Sequence, residues 1–159
     1  MGSSNNHPLL ILLLVTLLTV PGACTKPVGD YYFISAETAR DQGGVYSFDI
    51  AFDDAASYDL ALAARIVASQ IPDKTLNLDI HIQAPDGSTS IERVGLPLNL
   101  APGVQIVPGS GSVTDFSWTW RSFPAAPGHW RFLIQPADPA EGRALYGLGI
   151  SYSLHDGKR

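Results

Sequence analysis

The groups of this chain best placed to do chemistry are few. They are one thiol, three histidines downstream of it, two adjacent aspartates, three tryptophans and an arginine among small residues. Cys24 is the only cysteine of the 159 residues, and it stands directly after Gly22-Ala23 and an uncharged apolar run, Pro8 to Val20. Its thiol is a site for acylation if the chain is cut just before it, and otherwise a free thiol at the start of a secreted chain. His81, His129 and His155 lack ligand spacings such as HxH or HExxH, so no metal site is expected. The GSGS run, Gly109 to Ser112, lacks the GxSxG of a nucleophile elbow and has proline before it, which makes it a loop. Asp53-Asp54 matches neither a glycosidase carboxylate pair nor an EF-hand loop, and is read as a solvated turn. No Gly-rich loop follows a strand to cradle phosphate. No catalytic residue and no cofactor are therefore expected, and the protein is read as a non-enzyme.

Trp118, Trp120 and Trp130 offer two readings. Together they are a platform for a sugar ring; separately they are core, since all three sit on the apolar side of an alternating pattern and aromatic rings bury large areas. The core reading is preferred. Arg65 lies beside Ala61 and Ala63 on the polar side of an apolar alternation. A guanidinium flanked by small residues can lie across a sheet and take a carboxylate in a two-pronged hydrogen bond. Asp49 and Asp79 are the expected partners, in a structural ion pair.

These groups depend on the elements that hold them. The apolar run before Cys24 is about 13 residues long, short of the roughly 20 that cross a bilayer as a helix. It suits the apolar core of a signal peptide, with small residues before the cut. A cysteine at that place resembles the lipobox of bacterial lipoproteins, in which the thiol is acylated before cleavage and the new amine usually afterwards. The expected organisation is a signal peptide over 1–23, a lipidated tether over 24–30 containing Pro27-Val28-Gly29, and one folded domain over 31–159. The expected location is the bacterial envelope, anchored by acyl chains such as palmitate to the outer or inner membrane, on the periplasmic side or the surface. One acyl chain binds membrane marginally and two bind it stably.

Residues 1–23 hold no Asp, Glu, Lys or Arg, so the whole formal charge of −5 belongs to residues 24–159. An acidic domain without a basic cluster makes a poor nucleic-acid binder, because that affinity comes largely from neutralised phosphates. It is equally unsuited to adhesion to anionic lipid. About 135 residues remain after the leader, enough to bury one core without disulfides.

Period two dominates the remainder. Tyr46, Phe48, Ile50 and Phe52 alternate with polar or small residues. So do Leu76, Leu78, Ile80 and Ile82; Phe116, Trp118 and Trp120; Trp130, Phe132 and Ile134; and Tyr146, Leu148, Ile150, Tyr152 and Leu154. Such runs mark antiparallel strands packed on one face. Pro85-Asp86-Gly87 joins Leu76–Ala84 to Ser88–Val94 as a hairpin, and the twelve prolines and fifteen glycines concentrate at junctions such as PAAPG and PADPAEG. Tyr58 to Ser69 is Ala- and Leu-rich, which favours helix, yet it alternates and is read as strand. The expected fold is all-β, an antiparallel two-sheet sandwich of jelly-roll type. Phe48, Ile50, Leu78, Ile80, Trp130, Phe132 and Ile150 are its expected core.

The order of these features resembles the gliding-motility lipoproteins of the GldH family, from bacteria of the Bacteroidota. The matching residues are Cys24, Tyr31-Tyr32-Phe33, FDIAFDD (Phe48 to Asp54), YDLALAAR (Tyr58 to Arg65) and TLNLDIHIQAPDG (Thr75 to Gly87). Phe123, Gly128, Trp130, Phe132, Ile134, Gln135 and ALYGLGI (Ala144 to Ile150) come after them. SQIPDK and APGVQIVPGSGS replace the family's aromatic segment and its Gly-Trp-rich loop. The resemblance implies a non-enzymatic lipoprotein that contacts other envelope proteins, as an accessory of gliding or of type IX secretion. No small-molecule ligand is expected on that reading. The alternative is a ligand- or carbohydrate-binding sandwich.

Overall fold

The structure is a computed structural model that describes residues 29–71, 73–109 and 111–155. Cys24, the leader and most of the tether lie outside the described residues. Among the described residues nine strands form: β1 (Gly29–Ser35), β2 (Tyr46–Phe52), β3 (Ala56–Ile66), β4 (Thr75–Gln83), β5 (Thr89–Pro97), β6 (Val104–Pro108), β7 (Thr114–Ala125), β8 (Gly128–Pro136) and β9 (Leu145–Leu154). Two six-residue helices, α1 (Ala36–Asp41) and α2 (Pro139–Ala144), interrupt them. β1 takes in Gly29 and Asp30, so strand structure reaches into the stretch expected to be tether.

The strands pair throughout as antiparallel neighbours in two sheets, β1-β9-β3-β7-β6 and β2-β8-β4-β5. With the short edge strand β6 set aside, the two four-strand orders interleave as a jelly roll, the architecture expected from the sequence. β6 is not among the alternating runs, because five residues between Pro-Gly breaks give too little pattern to read.

β3 settles the ambiguous segment. Tyr58, Leu60, Leu62, Ala64 and Ile66 all point into the core, and the strand is paired on both sides, by β9 and β7. That two-sided pairing gives an Ala-rich stretch of helical preference its backbone hydrogen bonds as a strand, so context overrides propensity. The strand stops at Ile66, short of Ser69, and Ala68–Gln70 forms a 3₁₀ turn.

The core lies between the sheets. Phe48, Ile50, Leu78, Ile80, Phe132 and Ile134 meet Leu60, Leu62, Phe116, Trp118, Leu148 and Ile150. Six of the seven expected core residues are fully buried. Trp130 is half-buried: it packs edge-on to Phe123 at 4.8 Å and donates its indole N–H to the carbonyl of Ala126 at 3.0 Å.

Two bulges reset the alternation. Between Leu60 and Ala61 the β3–β7 register slips, so that Leu60 faces Arg121 and Ala61 faces Thr119. Trp120 is the extra residue, and beyond it the inward set changes from Phe116 and Trp118 to Phe123 and Ala125. A second slip, between Arg65 and Ile66 against β9, turns Leu145 inward and leaves Tyr146 exposed. Tyr146 thus leaves the buried face where alternation places it, whereas Leu154, opposite Tyr58, keeps its side of the strand and is exposed because it lies at the strand's end.

Between β8 and β9, the expected PADPAEG loop holds α2. Asp138 caps it by accepting from the Ala140 N–H at 2.7 Å, and Pro139 fills the first turn. The buried Glu141 carboxylate accepts from the Asn77 backbone N–H at 2.8 Å and its side-chain amide at 2.9 Å, tying the helix to β4.

Candidate functional site

The outer faces of the two sheets differ in kind. On the four-stranded sheet, charges pair across strands: Asp49 with Arg131 at 2.8 Å, and Asp79 with Arg93 through two bonds of 2.7 and 2.8 Å. The five-stranded sheet also carries a cross-strand pair, Arg65 with Asp115, but beside it presents aromatic rings and small residues.

Register explains the arrangement. One row across the five strands reads Phe33, Gly149, Ala63, Ser117 and Gln105. The row above it reads Ser35, Gly147, Arg65, Asp115 and Val107, and the row below begins Tyr31, Ser151, Ala61 and Thr119. In the first of these rows the three middle strands carry nothing beyond a methyl or hydroxymethyl group outward. Tyr31 and Phe33 lean over β9, where a Cβ on Gly149 would come within 2.8 Å of the Tyr31 hydroxyl and one on Gly147 would strike the Phe33 ring. Glycine at these two positions lets the rings lie down. The result is a groove of about 490 Å³, walled by Tyr31 and Phe33 on one side and Gln105 and Val107 on the other.

At the groove's upper end, Arg65 Nε meets Asp115 Oδ1 at 2.8 Å and Nη2 meets Oδ2 at 3.0 Å. The guanidinium carbon lies 5.8 Å from the centre of the Phe33 ring. The hydrogen bonds from Arg65 hold the Asp115 carboxyl below the usual carboxylate range, and the same bonds push the Arg65 guanidinium up. Burial raises the Tyr31 phenol, Asp115 adds to that, and Arg65 opposes it.

Arg65 thus makes the two-pronged bond expected of it, but not with Asp49 or Asp79. Those two lie on β2 and β4, in the other sheet, and point away from the opposite side of the sandwich. Packed sheets stand about 10 Å apart, so outward groups on different sheets do not meet. Asp115, directly opposite Arg65 in the β3–β7 ladder, is the partner.

No family model matches the chain. No curated protein matches it either. A crystal structure of a protein from Sulfurospirillum deleyianum aligns with 82% of this chain and 99% of its own, at 11% identity and a TM-score of 0.40. A likeness that distant carries no argument.

The tryptophans do not assemble. Trp118 is buried, with its indole N–H donated to the Pro97 carbonyl at 2.7 Å, while Trp120 and Trp130 sit at the rim of the core. Outward aromatics come instead from Tyr31 and Phe33, which the sequence marks only as part of an aromatic stretch. The available signal is the GLG spacing of Gly147 and Gly149, which marks a strand face bare enough for rings to cover. His81 and His129 do not share a site with His155, whose Nδ1 lies 2.8 Å from Asp59. Asp53 and Asp54 lie exposed between β2 and β3, as expected of a solvated turn. Among the described residues no group of three His, Cys, Asp or Glu side chains gathers.

A second cleft opens between the sheets at the β5–β7 side, about 320 Å³ in volume, lined by Ile82, Ser90, Arg121, Phe123 and Trp130 among others. The β7 bulge turns Arg121 toward it, where Nη1 meets Glu92 of β5 at 2.6 Å. The guanidinium lies over both Trp120 and Phe123, at 5.1 and 5.2 Å.

Proposed function

We propose that this protein is a lipid-anchored, non-enzymatic accessory of the bacterial envelope that works through contacts with other proteins, in gliding motility or the linked type IX secretion machinery. The apolar run before Cys24 supports the anchor, and the resemblance to GldH lipoproteins supports the setting. About five residue steps separate Cys24 from the first strand, a reach of at most ~18 Å, so the anchored sandwich sits close to its membrane.

The observation that carries the contact role is the edge strand β5. Among the described residues it is paired on one side only, by β4. Ile91 on its outward face is 68% exposed, and Leu100, just past its end, is 84% exposed. An open strand edge beside exposed aliphatic side chains is a template to which a second chain adds by backbone hydrogen bonds.

Photocrosslinking in cells that make the full chain tests this reading. A crosslinker at Ile91 should capture a component of the gliding or secretion machinery, and one at Arg131 on the charged face should not. Equal capture from both positions, or none from Ile91, overturns the contact role. Radiolabelled palmitate should enter the wild type and be lost in Cys24→Ala; equal labelling removes the anchor.

A further inference from the structure

We propose that the groove on the outer face of the five-stranded sheet binds a neutral saccharide, a site separate from the β5 edge. Its volume of about 490 Å³ lies within the range of ligand sites, roughly 300–1,000 Å³. Its floor, Ser151, Ala63 and Ser117, spans three adjacent strands, β9, β3 and β7, a width of about 10 Å. An occupant therefore settles against the backbone between two walls.

The chemistry of the walls selects the occupant. The Tyr31 and Phe33 rings, with centres 6.4 Å apart and planes within 28° of each other, form one extended apolar surface. Opposite and above them stand an amide, Gln105, and the Arg65–Asp115 pair. The pair is closed on itself and brings both charges to the same place. An anion there meets the Asp115 carboxylate and finds Arg65 already engaged, while a cation meets Arg65. A wholly apolar occupant strips water from Arg65, Asp115 and Gln105 and returns no hydrogen bond, which is costly. A sugar ring avoids all three penalties. Its hydroxyls both donate and accept, so they use Asp115 as acceptor and Arg65 and Gln105 as donors. Its C–H face lies against the aromatic rings, contacts that are weak singly and additive over a ring.

The test is affinity electrophoresis of the full chain, in a detergent without a sugar headgroup, through gels containing a neutral glucan, mannan or xylan. Alginate, a polyanionic glycan, is the control. At least one neutral polysaccharide should retard the wild type, and alginate should not. Ala63→Leu fills the floor without removing a wall contact, and Gln105→Ala removes an exposed amide that holds up no core. Each should weaken retardation at least tenfold while the thermal melt of Gln105→Ala stays unchanged. No retardation by any neutral polysaccharide overturns the proposal. So does stronger retardation by alginate, or wild-type retardation of both variants.

Discussion

Arg121 and Glu92 face each other across the open side of the sandwich, one on each sheet, with Nη1 and Oε1 2.6 Å apart. Ile80, opposite Glu92, and Leu60, opposite Arg121, both point into the core, so the pair closes the interior where hydrophobic residues run out. The Nε of Arg121 is buried with no hydrogen-bond partner among the described residues. Removing the arginine leaves Glu92 facing inward alone. Arg121→Ala should therefore cost about 1–3 kcal/mol, read as a fall in the urea midpoint. The double change Arg121→Met with Glu92→Leu should recover most of it, because well-packed apolar pairs often replace such bridges without loss. A double variant weaker than Arg121→Ala would contradict this account.

Arg65 and Asp115 make the better geometry but stand in solvent, with side chains 51% and 36% exposed. Exposed pairs contribute little, so Arg65→Ala should barely move the melting temperature. Its effect should appear in titration. The Asp115 carboxyl, held low chiefly by hydrogen bonds from Arg65, should return to the ordinary range near 3.8 in Arg65→Ala, followed by carboxyl NMR. Because the folded-state pKa is depressed, the stabilisation is complete above 3.8 and is lost as pH falls through the lower folded value. Asp79, bonded to Arg93, is lowered in the same way and adds to the same acid-side loss.

Tyr31 and Gly149 are coupled by space alone. A Cβ at position 149 would lie 2.9 Å from both the Tyr31 ring and the Tyr32 carbonyl oxygen. Gly149→Ala should destabilise by about 1–3 kcal/mol, the cost of overpacking. In a Tyr31→Ala background the penalty should shrink, since the ring's share of the obstruction is gone. An additive cycle by thermal denaturation would show that the ring is not what meets the new methyl.

Tyr152 sits among Phe52 and Tyr58, with ring centres at 5.1 and 5.7 Å, and its phenol is pushed up to about 12 by burial first and then by Tyr32 and Asp30. A raised folded-state pKa favours the neutral phenol. That stability is intact below the ordinary value of 10.0 and drains away as pH rises from there toward about 12. Wild type should lose stability between those limits, and Tyr152→Phe should lose less. Identical alkaline profiles would place the effect on another tyrosine.

Much of the architecture is written in local pattern. Strand alternation needs only a residue's near neighbours, so Phe48, Ile50, Leu78, Ile80, Phe132 and Ile150 are legible as core, and β3 as strand despite its alanines. Arg65 among small residues likewise announces a two-pronged carboxylate bond. What only the tertiary structure decides is which strands become neighbours. Asp115 lies 50 positions from Arg65 along the chain, and nothing local distinguishes it from Asp49 or Asp79 until β7 takes its place beside β3. The bulges at Trp120 and at Leu145–Gly147 escape the local pattern for the same reason. A register slip is a compromise between two paired strands and the core beneath them, and it reverses the facing of every residue beyond it. The groove is the joint product of both levels: small outward residues on β9, β3 and β7 are a property of sequence, and their alignment into one floor is a property of register.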